Sequence, residues 1–482
     1  MAAKSWVTKT NIVDYYRCPY AFWLVDSGQL DKAETVSPLA AKLAEDGVAF
    51  QEKVESAAVP VKLPPGGIDQ LAKAAPKDLV VFGDLPVFMN RGLRIRGVPD
   101  GIELADGAWY PLEVKSHKRV SALDRIELAF YWVLLAPRRT RFPDPEGIVV
   151  LRGKGGEAQQ VRVPLSRADF DEVHRLIAAV RAARAEGVPP RVCSCPVCSK
   201  RPEVAQPGPL VSSGVSMVFG IGWRYEAALR ELGCTRHDQM RALVPEDVVA
   251  HFRSHKMYIS PAVVRSWKLH ARAYAEGLPV LSAEREPLPK LGRYIALDLE
   301  WGLDDAIFLA GLGIVDNGEV EHMSFWADSP DEEPVVLASL ARALDDHPDL
   351  PVVTWNGRGA DLPHLAKRAA AVAGAGGLVP ALGPRHFDLY MWAQAYLRLP
   401  GPSLTLKEVA RAFGFRASSG LSGGDDAMMV YYQYRRSADP ALRDQLVAYN
   451  RDDISSLVSV AARLAEMDNC GAPSPGDPWR VV

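Results

Sequence analysis

The feature that most constrains this chain is an apolar run that ends in two carboxylates one residue apart. Tyr294-Ile295-Ala296-Leu297 has the composition of a buried strand, and Asp298-Leu299-Glu300 follows it directly. Residues i and i+2 of a strand point to the same face of a sheet. The pattern therefore predicts a buried strand that presents Asp298 and Glu300 side by side.

Further acidic residues follow at positions that allow them to join this pair. Asp361 comes after Trp355-Asn356-Gly357, at the start of a segment with helical spacing. Tyr449 and Asp453 are four residues apart on a long C-terminal helix and so share one helix face. Mg²⁺ prefers oxygen ligands, and two such ions can clamp the attacking and leaving oxygens of a phosphodiester. Each carboxylate alone is equally compatible with an exposed or capping acid.

The ordered set is more specific than its members. Asp-x-Glu on a strand, Asn-(x)4-Asp at a helix start and Tyr-x-x-x-Asp on the last helix resemble the DnaQ-like, RNase H-fold 3′–5′ exonucleases of the DEDD type, tyrosine subtype, and the YprB-type branch in particular. The resemblance covers about residues 290–467. It implies a Mg²⁺ or Mn²⁺ site and a water-orienting tyrosine, Tyr449. The implied metal ligands are Asp298, Glu300, Asp361 and Asp453. For Asp388, which also looks like a family position, we expect a structural role at the start of a helix.

A second candidate site lies near the N-terminus. Glu113 and Lys115 share one face of a predicted strand, and Asp100 precedes them in Val98-Pro99-Asp100. Asp100 and Glu113 are suited to hold one Mg²⁺, with Lys115 beside the scissile phosphate. The alternative for Glu113-x-Lys115 is a surface ion pair.

With the following predicted helix and the Cys18-Pro19 pair, this set resembles the PD-(D/E)xK nucleases of the RecB-like group. Two positions depart from that pattern. Gln51 stands where members commonly carry a histidine ligand, and Glu127 stands where the Gln-x-x-x-Tyr motif has its glutamine. Whether this site is active stays open.

Four cysteines extend the same resemblance. Iron–sulfur nucleases of the RecB-like group use one N-terminal and three C-terminal cysteines, and the matching residues here are Cys18, Cys193, Cys195 and Cys198. The resemblance implies a structural [4Fe–4S] cluster. A zinc site on the same thiolates and unliganded thiols are the alternatives.

Several features suggest contacts with nucleic acid. Gly220 and Gly222, before a predicted helix, resemble a helix-hairpin-helix module, whose backbone N–H groups face phosphate; a packing linker is the alternative. One run of basic residues includes Lys118 and Arg119. A second set of basic residues lies in the predicted helical part of the chain after Gly222. Both sets are equally compatible with solvated faces. The members of the second set are Lys256, Arg265, Lys268 and Arg272.

These features predict an α/β multidomain chain. We expect a PD-(D/E)xK nuclease-like α/β domain over residues 1–205, a small helical, helix-hairpin-helix-like domain over 206–285, and an RNase H-like mixed-sheet α/β domain over 286–470. The formal net charge is −3, so no overall basic balance marks a nucleic-acid partner. No apolar stretch is long enough to span a membrane, and no signal peptide is recognisable, so a cytoplasmic location is expected.

The function that these expectations favour is a metal-dependent DNA nuclease. It would act as a 3′–5′ exonuclease on single-stranded DNA or DNA ends in repair, recombination or end processing. A second RecB-like nuclease or strand-guiding domain, and a helicase partner, would accompany it. The alternatives are a DNA-end-binding scaffold with a decayed N-terminal site, and a ribonuclease that trims structured RNA, because discrimination depends on contacts to the 2′-hydroxyl.

Overall fold

The structure, a computed structural model, describes residues 6–57, 79–82, 85–105, 108–138, 144–153, 155–186, 214–215, 218, 220–221, 223–372, 377–401 and 403–469. The chain divides into two compact units, Met1–Arg201 and Pro202–Val482, termed the N-terminal and the C-terminal unit. Each unit combines helices with strands, so the architecture is mixed α/β. Within these described ranges, no helix is both long and apolar enough to cross a bilayer.

A five-stranded sheet is central to the N-terminal unit. Its order is β1-β4-β5-β6-β7, with β5 and β6 parallel and the other neighbours antiparallel. The strands of this unit are, in chain order, β1 (Leu79–Phe82), β2 (Phe88–Asn90), β3 (Ile95–Gly97), β4 (Gly101–Ala105), β5 (Ala108–Lys115), β6 (Glu146–Arg152) and β7 (Ala158–Pro164).

The helices of the N-terminal unit include two, Pro38–Ala57 and Ala122–Leu135, that pack against β5, the strand that carries Glu113. The helices are α1 (Lys9–Arg17), α2 (Pro19–Asp26), α3 (Pro38–Ala57), α4 (Ala122–Leu135) and α5 (Arg167–Glu186). Strand β5 is buried along almost its whole length, as expected for a central strand with both faces covered. Helix α4 connects the parallel strands β5 and β6, and Ser121 caps its N-terminus in a reciprocal pair with Asp124.

The principal sheet of the C-terminal unit has the order β11-β10-β9-β12-β13. The first three strands are antiparallel, and β12 pairs in parallel with β9 and β13. A separate two-stranded sheet joins β14 to β8. The strands of this unit are β8 (Val280–Leu281), β9 (Arg293–Trp301), β10 (Ile307–Asp316), β11 (Glu319–Trp326), β12 (Val352–Thr354), β13 (His386–Asp388) and β14 (Leu397–Arg398).

The helices of the C-terminal unit include two, Glu333–Asp345 and Pro440–Asn469, that cover opposite faces of this sheet. The helices are α6 (Trp223–Glu231), α7 (Pro245–Ser254), α8 (Pro261–Glu276), α9 (Glu333–Asp345), α10 (Asp361–Ala371), α11 (Leu378–Leu382), α12 (Leu389–Tyr396), α13 (Leu406–Ala412), α14 (Gly424–Ser437) and α15 (Pro440–Asn469). Alternate residues of β9 belong to different cores: Ile295 and Leu297 pack in the core that includes α9, and Tyr294 and Ala296 in the core that includes α15. Asp298 therefore continues the face directed towards α15.

Turn and cap residues define two local features of this unit. The hairpin between β10 and β11 turns at Asn317 and Gly318, which both have positive φ, as two-residue hairpins prefer. Thr405 caps α13 by accepting the Glu408 N–H, and the Ser403 hydroxyl accepts the Thr405 N–H.

Helices α6, α7 and α8 form a small helical segment with its own apolar core. Phe252, Val264 and Trp267 are fully or nearly fully buried within it. The segment is joined to the rest of the C-terminal unit by the β8–β14 pairing. In addition, His270 Nε2 lies 2.8 Å from the Gly401 carbonyl.

Candidate active site

Three carboxylates converge at the end of β9. Asp298, Glu300 and Asp453 each offer an oxygen, and these oxygens all lie within 4.8 Å of one another. Asp298 and Glu300 come from the strand, and Asp453 comes from α15, which packs across β9 and β10. The structure thus brings together three of the predicted side chains, although Asp453 lies far from the other two in sequence.

The close carboxylates disturb one another electrostatically. Burial and the charges of Glu300 and Asp453 raise the pKa of Asp298 well above its usual value. Burial and the charges of Asp453 and Asp361 raise the pKa of Glu300 in the same way. Burial raises the pKa of Asp453 to about 6, although Lys407 opposes the shift. Such mutual repulsion is typical of a site built to receive a cation.

Asp361 stands slightly apart from the other three. It is the first residue of α10, and the backbone N–H groups of Asp361 itself and of Leu299 act to lower the pKa of its carboxyl group. Burial raises its pKa to about 7, helped by the charge of Asp388. Asp361 therefore borders the cluster through the backbone of β9, and its charge in turn raises the pKa values of Asp298 and Glu300.

Asp388 shapes the loop that leads to Asp361. Its carboxylate accepts the backbone N–H groups of Asn356 at 2.9 Å and Arg358 at 2.9 Å. It also caps α12 by accepting the Tyr390 N–H at 3.1 Å. Asn356 has a positive φ of 63°, a conformation that asparagine tolerates better than most residues. These contacts agree with the structural role expected for Asp388.

Asn450 fixes Asp298 from α15, and the sequence reasoning did not identify it. Its Nδ2 donates to Asp298 Oδ2 at 2.7 Å. This approach requires glycine opposite Asp298 on β10, because a Cβ at Gly311 would lie 1.7 Å from Asn450 Oδ1. One sequence feature could have identified Asn450. It is a polar residue on the apolar helix face that carries Leu446 and Ile454.

Tyr449 and Lys407 flank Asp453. The nearby Tyr449 hydroxyl lowers the pKa of the Asp453 carboxyl. Burial and nearby carboxylates raise the pKa of Tyr449 itself, so the hydroxyl stays protonated. Lys407 Nζ lies 3.9 Å from the centre of the Tyr449 ring and 4.0 Å from Asp453 Oδ1. Lys407 is not among the residues that the sequence pattern predicted for this site.

The donor set fits a divalent cation of the Mg²⁺ or Mn²⁺ class. The ligand atoms are carboxylate oxygens, which these ions prefer. Asp453 Oδ1 is buried and has no hydrogen-bond partner among the described residues, which leaves it available to a cation. Lys407 is the positive group whose charge most opposes the raised pKa of Asp453, and burial lowers its own pKa. Three converging carboxylates therefore lack full compensation by side chains.

The N-terminal cluster has a different arrangement. Glu113 on β5 is fully buried, and both of its oxygens contact lysines. Lys9 Nζ lies 3.2 Å from Glu113 Oε1 and 2.9 Å from Oε2. Lys115 Nζ lies 2.8 Å from Glu113 Oε2 and 2.6 Å from Glu127 Oε2. Lysine ammonium groups thus occupy the positions around Glu113 where a metal ion would approach.

Electrostatics support this description of the N-terminal cluster. Burial alone would raise the pKa of Glu113, but Lys9 and Lys115 lower it to about 2. Asp100, which accepts the Val114 N–H at 2.9 Å, has its pKa raised to about 7 by burial and by Glu113. Burial and Glu113 also raise the pKa of Glu127. Lys9 and Lys115 thus offset the negative charge of Glu113 and Glu127, which weakens the attraction of this cluster for a divalent ion.

The remaining predicted residues lie elsewhere. Gln51 on α3 hydrogen-bonds Glu55 at 2.8 Å, and Cys18 caps α2 through its sulfur. Lys118 and Arg119 are exposed between β5 and α4. Gly220 has a positive φ of 84°. The other predicted residues, Gly222, Cys193, Cys195 and Cys198, lie outside the described ranges, so the iron–sulfur or zinc site stays a prediction.

Comparison with known proteins adds a family match for part of the chain. Residues 295–465 match the family model RNase_H_2 of the RNase_H superfamily. The chain is similar to a family B DNA polymerase from the hyperthermophilic archaeon Pyrobaculum calidifontis, with 24% identity over 38% of this chain and 26% of the polymerase, at a TM-score of 0.30. It thus spans about a quarter of that polymerase's length. No curated protein matches the chain. The segment that matches this RNase_H superfamily model contains Asp298, Glu300, Asp361 and Asp453.

Proposed function

We propose that the C-terminal unit is a Mg²⁺- or Mn²⁺-dependent 3′–5′ exonuclease that acts on single-stranded DNA or DNA ends. The observation that carries this proposal is the convergence of Asp298, Glu300 and Asp453 within 4.8 Å. The match to the RNase_H superfamily over residues 295–465 supports a nuclease that processes nucleic acid. The exonuclease polarity rests on the resemblance to the tyrosine subtype of DEDD enzymes.

The residues around the cluster have separable roles in this proposal. Divalent cations at such a site stabilise negative charge on the attacking and leaving oxygens of phosphodiester hydrolysis. Asn450 holds the Asp298 carboxylate in place through a 2.7 Å hydrogen bond. The Tyr449 hydroxyl, which stays protonated, orients the attacking water as a hydrogen-bonding group and does not act as a base. Lys407, whose ammonium group lies over the Tyr449 ring, holds that ring in position.

The test compares wild type with Glu300→Gln on single-stranded DNA in the presence of Mg²⁺. We expect Glu300→Gln and Asp298→Asn to reduce the rate by about 100-fold or more, which is the scale for loss of a preorganised electrostatic group. The matched control is Glu321→Gln, because Glu321 is an exposed carboxylate on the neighbouring strand β11. Full activity in Glu300→Gln would refute the proposed active site.

Polarity and substrate class are read from the same reaction. A 3′–5′ exonuclease converts a 5′-labelled strand into a ladder of shortening products and releases a labelled mononucleotide at once from a 3′-labelled strand. The same assay with RNA strands of the same sequence distinguishes a DNA exonuclease from a ribonuclease. Immediate release of the 5′ label would contradict the proposed polarity.

For the N-terminal unit we propose a role in guiding a strand without cutting it. The observation that favours this role is the contact of both Glu113 oxygens with lysines. It agrees with the departures at Gln51 and Glu127 from the RecB-like pattern. Glu113→Gln is then expected to leave the rate of hydrolysis unchanged. Loss of hydrolysis in Glu113→Gln would instead make this unit the catalytic one.

A further inference from the structure

A basic pocket lies in the C-terminal unit, away from the carboxylate cluster in sequence. It has a volume of about 830 Å³ and is lined by residues of α8, of the β8–β14 region and of the segment before α7. Its cationic side chains are Arg241, Arg265, Lys268, Arg272 and Arg398, and its acidic ones are Glu276 and Glu284. We call this site the basic pocket.

Arg398 is a buried cation at the wall of the basic pocket. It is 6% exposed, and its guanidinium hydrogen-bonds the Ser266 hydroxyl and the carbonyls of Gln394 and Leu397. No carboxylate of the described residues lies within ion-pair distance of it. Burial lowers its pKa to about 10. A buried charge without a counter-charge is costly, so an anion beside Arg398 would relieve an existing penalty.

The other cations of the basic pocket are also incompletely neutralised. Arg241 is exposed and has no ion pair among the described residues. Arg265 lies 3.9 Å from Glu284, at the outer limit of an ion pair. Lys268 donates to the Leu243 carbonyl at 2.8 Å, which carries no charge. Arg272 is the best paired, with Glu276 at 2.6 Å. The pocket therefore retains an excess of positive charge.

We propose that the basic pocket binds the phosphate backbone of the polynucleotide strand whose end is hydrolysed at the carboxylate cluster. This inference rests on the proposed function and names a second contact site for its substrate. Several cations spread over separate elements suit successive phosphates of a strand. Tyr396, half-buried at the same wall, adds an aromatic ring of the kind on which single-strand sites stack bases.

Chain geometry permits one strand to reach both sites. Arg398 precedes Lys407 of the carboxylate cluster by nine residues, so their Cα atoms are at most about 32 Å apart even if the intervening chain were fully extended. An oligonucleotide can span such a distance, whereas a free mononucleotide cannot. The basic pocket is thus expected to contribute to the binding of long strands and not of a dinucleotide.

The test measures the affinity for a fluorescent 20-nucleotide single strand as a function of salt. Protein in an Asp298→Asn background with Ca²⁺ prevents hydrolysis during the measurement. The double variant Arg241→Ala/Arg265→Ala removes two exposed cations of the basic pocket. For single strands, log K falls against log salt with a slope of about 0.7 per phosphate contact, so we expect the slope to shrink by about 1.4. The control is Arg253→Ala, because Arg253 is exposed on α7 and does not line the pocket.

Two further arms make the result decisive. Dinucleotide affinity should be equal in wild type and the double variant, and thymidine monophosphate should compete poorly with the long strand. Arg398→Met should weaken long-strand binding, and Arg398→Lys, which keeps the charge, should restore part of it. An unchanged salt slope in the double variant, or strong competition by the mononucleotide, would overturn the proposal.

Failure of the proposed nuclease function can be distinguished from failure of the proposed strand binding by the basic pocket. If wild type does not hydrolyse any strand with Mg²⁺ but the double variant shows the reduced salt slope, the proposed nuclease function fails and the basic pocket stands. If hydrolysis proceeds and the slope matches that of Arg253→Ala, the basic pocket fails and the nuclease function stands.

Discussion

At the scale of single residues, the two buried carboxylate clusters differ in how their negative charge is compensated. In the N-terminal unit, Lys9 and Lys115 contact Glu113 directly. In the C-terminal unit, Asp298 receives a neutral amide from Asn450, and the nearest ammonium, that of Lys407, is 4.0 Å from Asp453. The carboxylate of Glu113 is thus already paired with lysines, whereas the carboxylates of the C-terminal cluster can still bind a cation.

The role of Asn450 can be tested by Asn450→Ala. Loss of its hydrogen bond frees the Asp298 carboxylate to rotate, and removal of a group that orients a metal ligand typically costs 10- to 100-fold in metal affinity or activity, so we expect a loss of about that size. The measurement is kcat/KM on single-stranded DNA together with the Mg²⁺ concentration at half-maximal rate. Ser455→Ala on the same helix is the control. Equal kinetics in the two variants would exclude a positioning role.

The role of Lys9 can be tested by Lys9→Met. This change leaves the buried Glu113 with Lys115 as its remaining contacting cation, and breaking a buried pair from one side costs roughly 3 kcal/mol or more. We expect a lower unfolding midpoint in urea for Lys9→Met and partial recovery in Lys9→Met/Glu113→Gln. DNA hydrolysis by the folded protein should be unaffected. An additive double variant would show that the two residues are not coupled.

At the scale of elements, the carboxylate cluster depends on a close approach between α15 and the β9–β10 pair. Gly311 and Gly313 of β10 leave room for Asn450 and Ile454, because a Cβ at Gly313 would lie 2.6 Å from Ile454 Cγ2. One helix thereby delivers Tyr449, Asn450 and Asp453 within little more than one turn. The distance between this helix and the sheet sets the geometry of the whole site.

The close approach can be tested by Gly311→Ala. The added methyl group would collide with Asn450, and overpacking of this kind costs about 1–3 kcal/mol. We expect reduced thermal stability and a larger relative loss of nuclease activity, because α15 must move away from Asp298. Gly292→Ala is the control, since its Cβ would meet no atom within 4 Å. Unchanged activity in Gly311→Ala would show that the helix does not need this spacing.

The parts of the site that could be predicted from sequence are those whose residues lie close together in the chain. Asp298, Glu300 and the Tyr449–Asp453 pair were recognisable because their spacing on a strand or helix is local. Asn450 and Lys9 were not, because their partners lie 152 and 104 residues away in the chain.

At the scale of the whole molecule, metal binding should be coupled to stability and to pH. The folded, metal-free site raises the pKa of Asp361 to about 7 and that of Asp453 to about 6, compared with about 4 for an unperturbed aspartate. The folded state therefore holds protons that the unfolded state has released. The contribution of this site to stability must fall as pH rises from about 4 to about 7.

We expect Mg²⁺ to raise the Tm of the C-terminal unit more at pH 8 than at pH 5.5, because a cation binds the ionised carboxylates and competes with protons. At a concentration 100 times Kd the stabilisation is about 2.7 kcal/mol. Differential scanning fluorimetry measures the shift, and Asp298→Asn should lose most of it. For Mn²⁺, His255→Ala is a second control, because Glu231, His251 and His255 form another group with metal-ligand spacing. An equal shift in Asp298→Asn would place the cation elsewhere.

The position of Asp453 on α15 has a consequence for protein synthesis. The ribosome makes β9, β10 and β12 well before α15, so Asp298 and Glu300 can fold into their sheet while the third carboxylate is still untranslated. A nascent chain at that stage lacks Tyr449, Asn450 and Asp453 together. The proposed hydrolytic activity therefore requires that α15 has been synthesised and packed against β9 and β10.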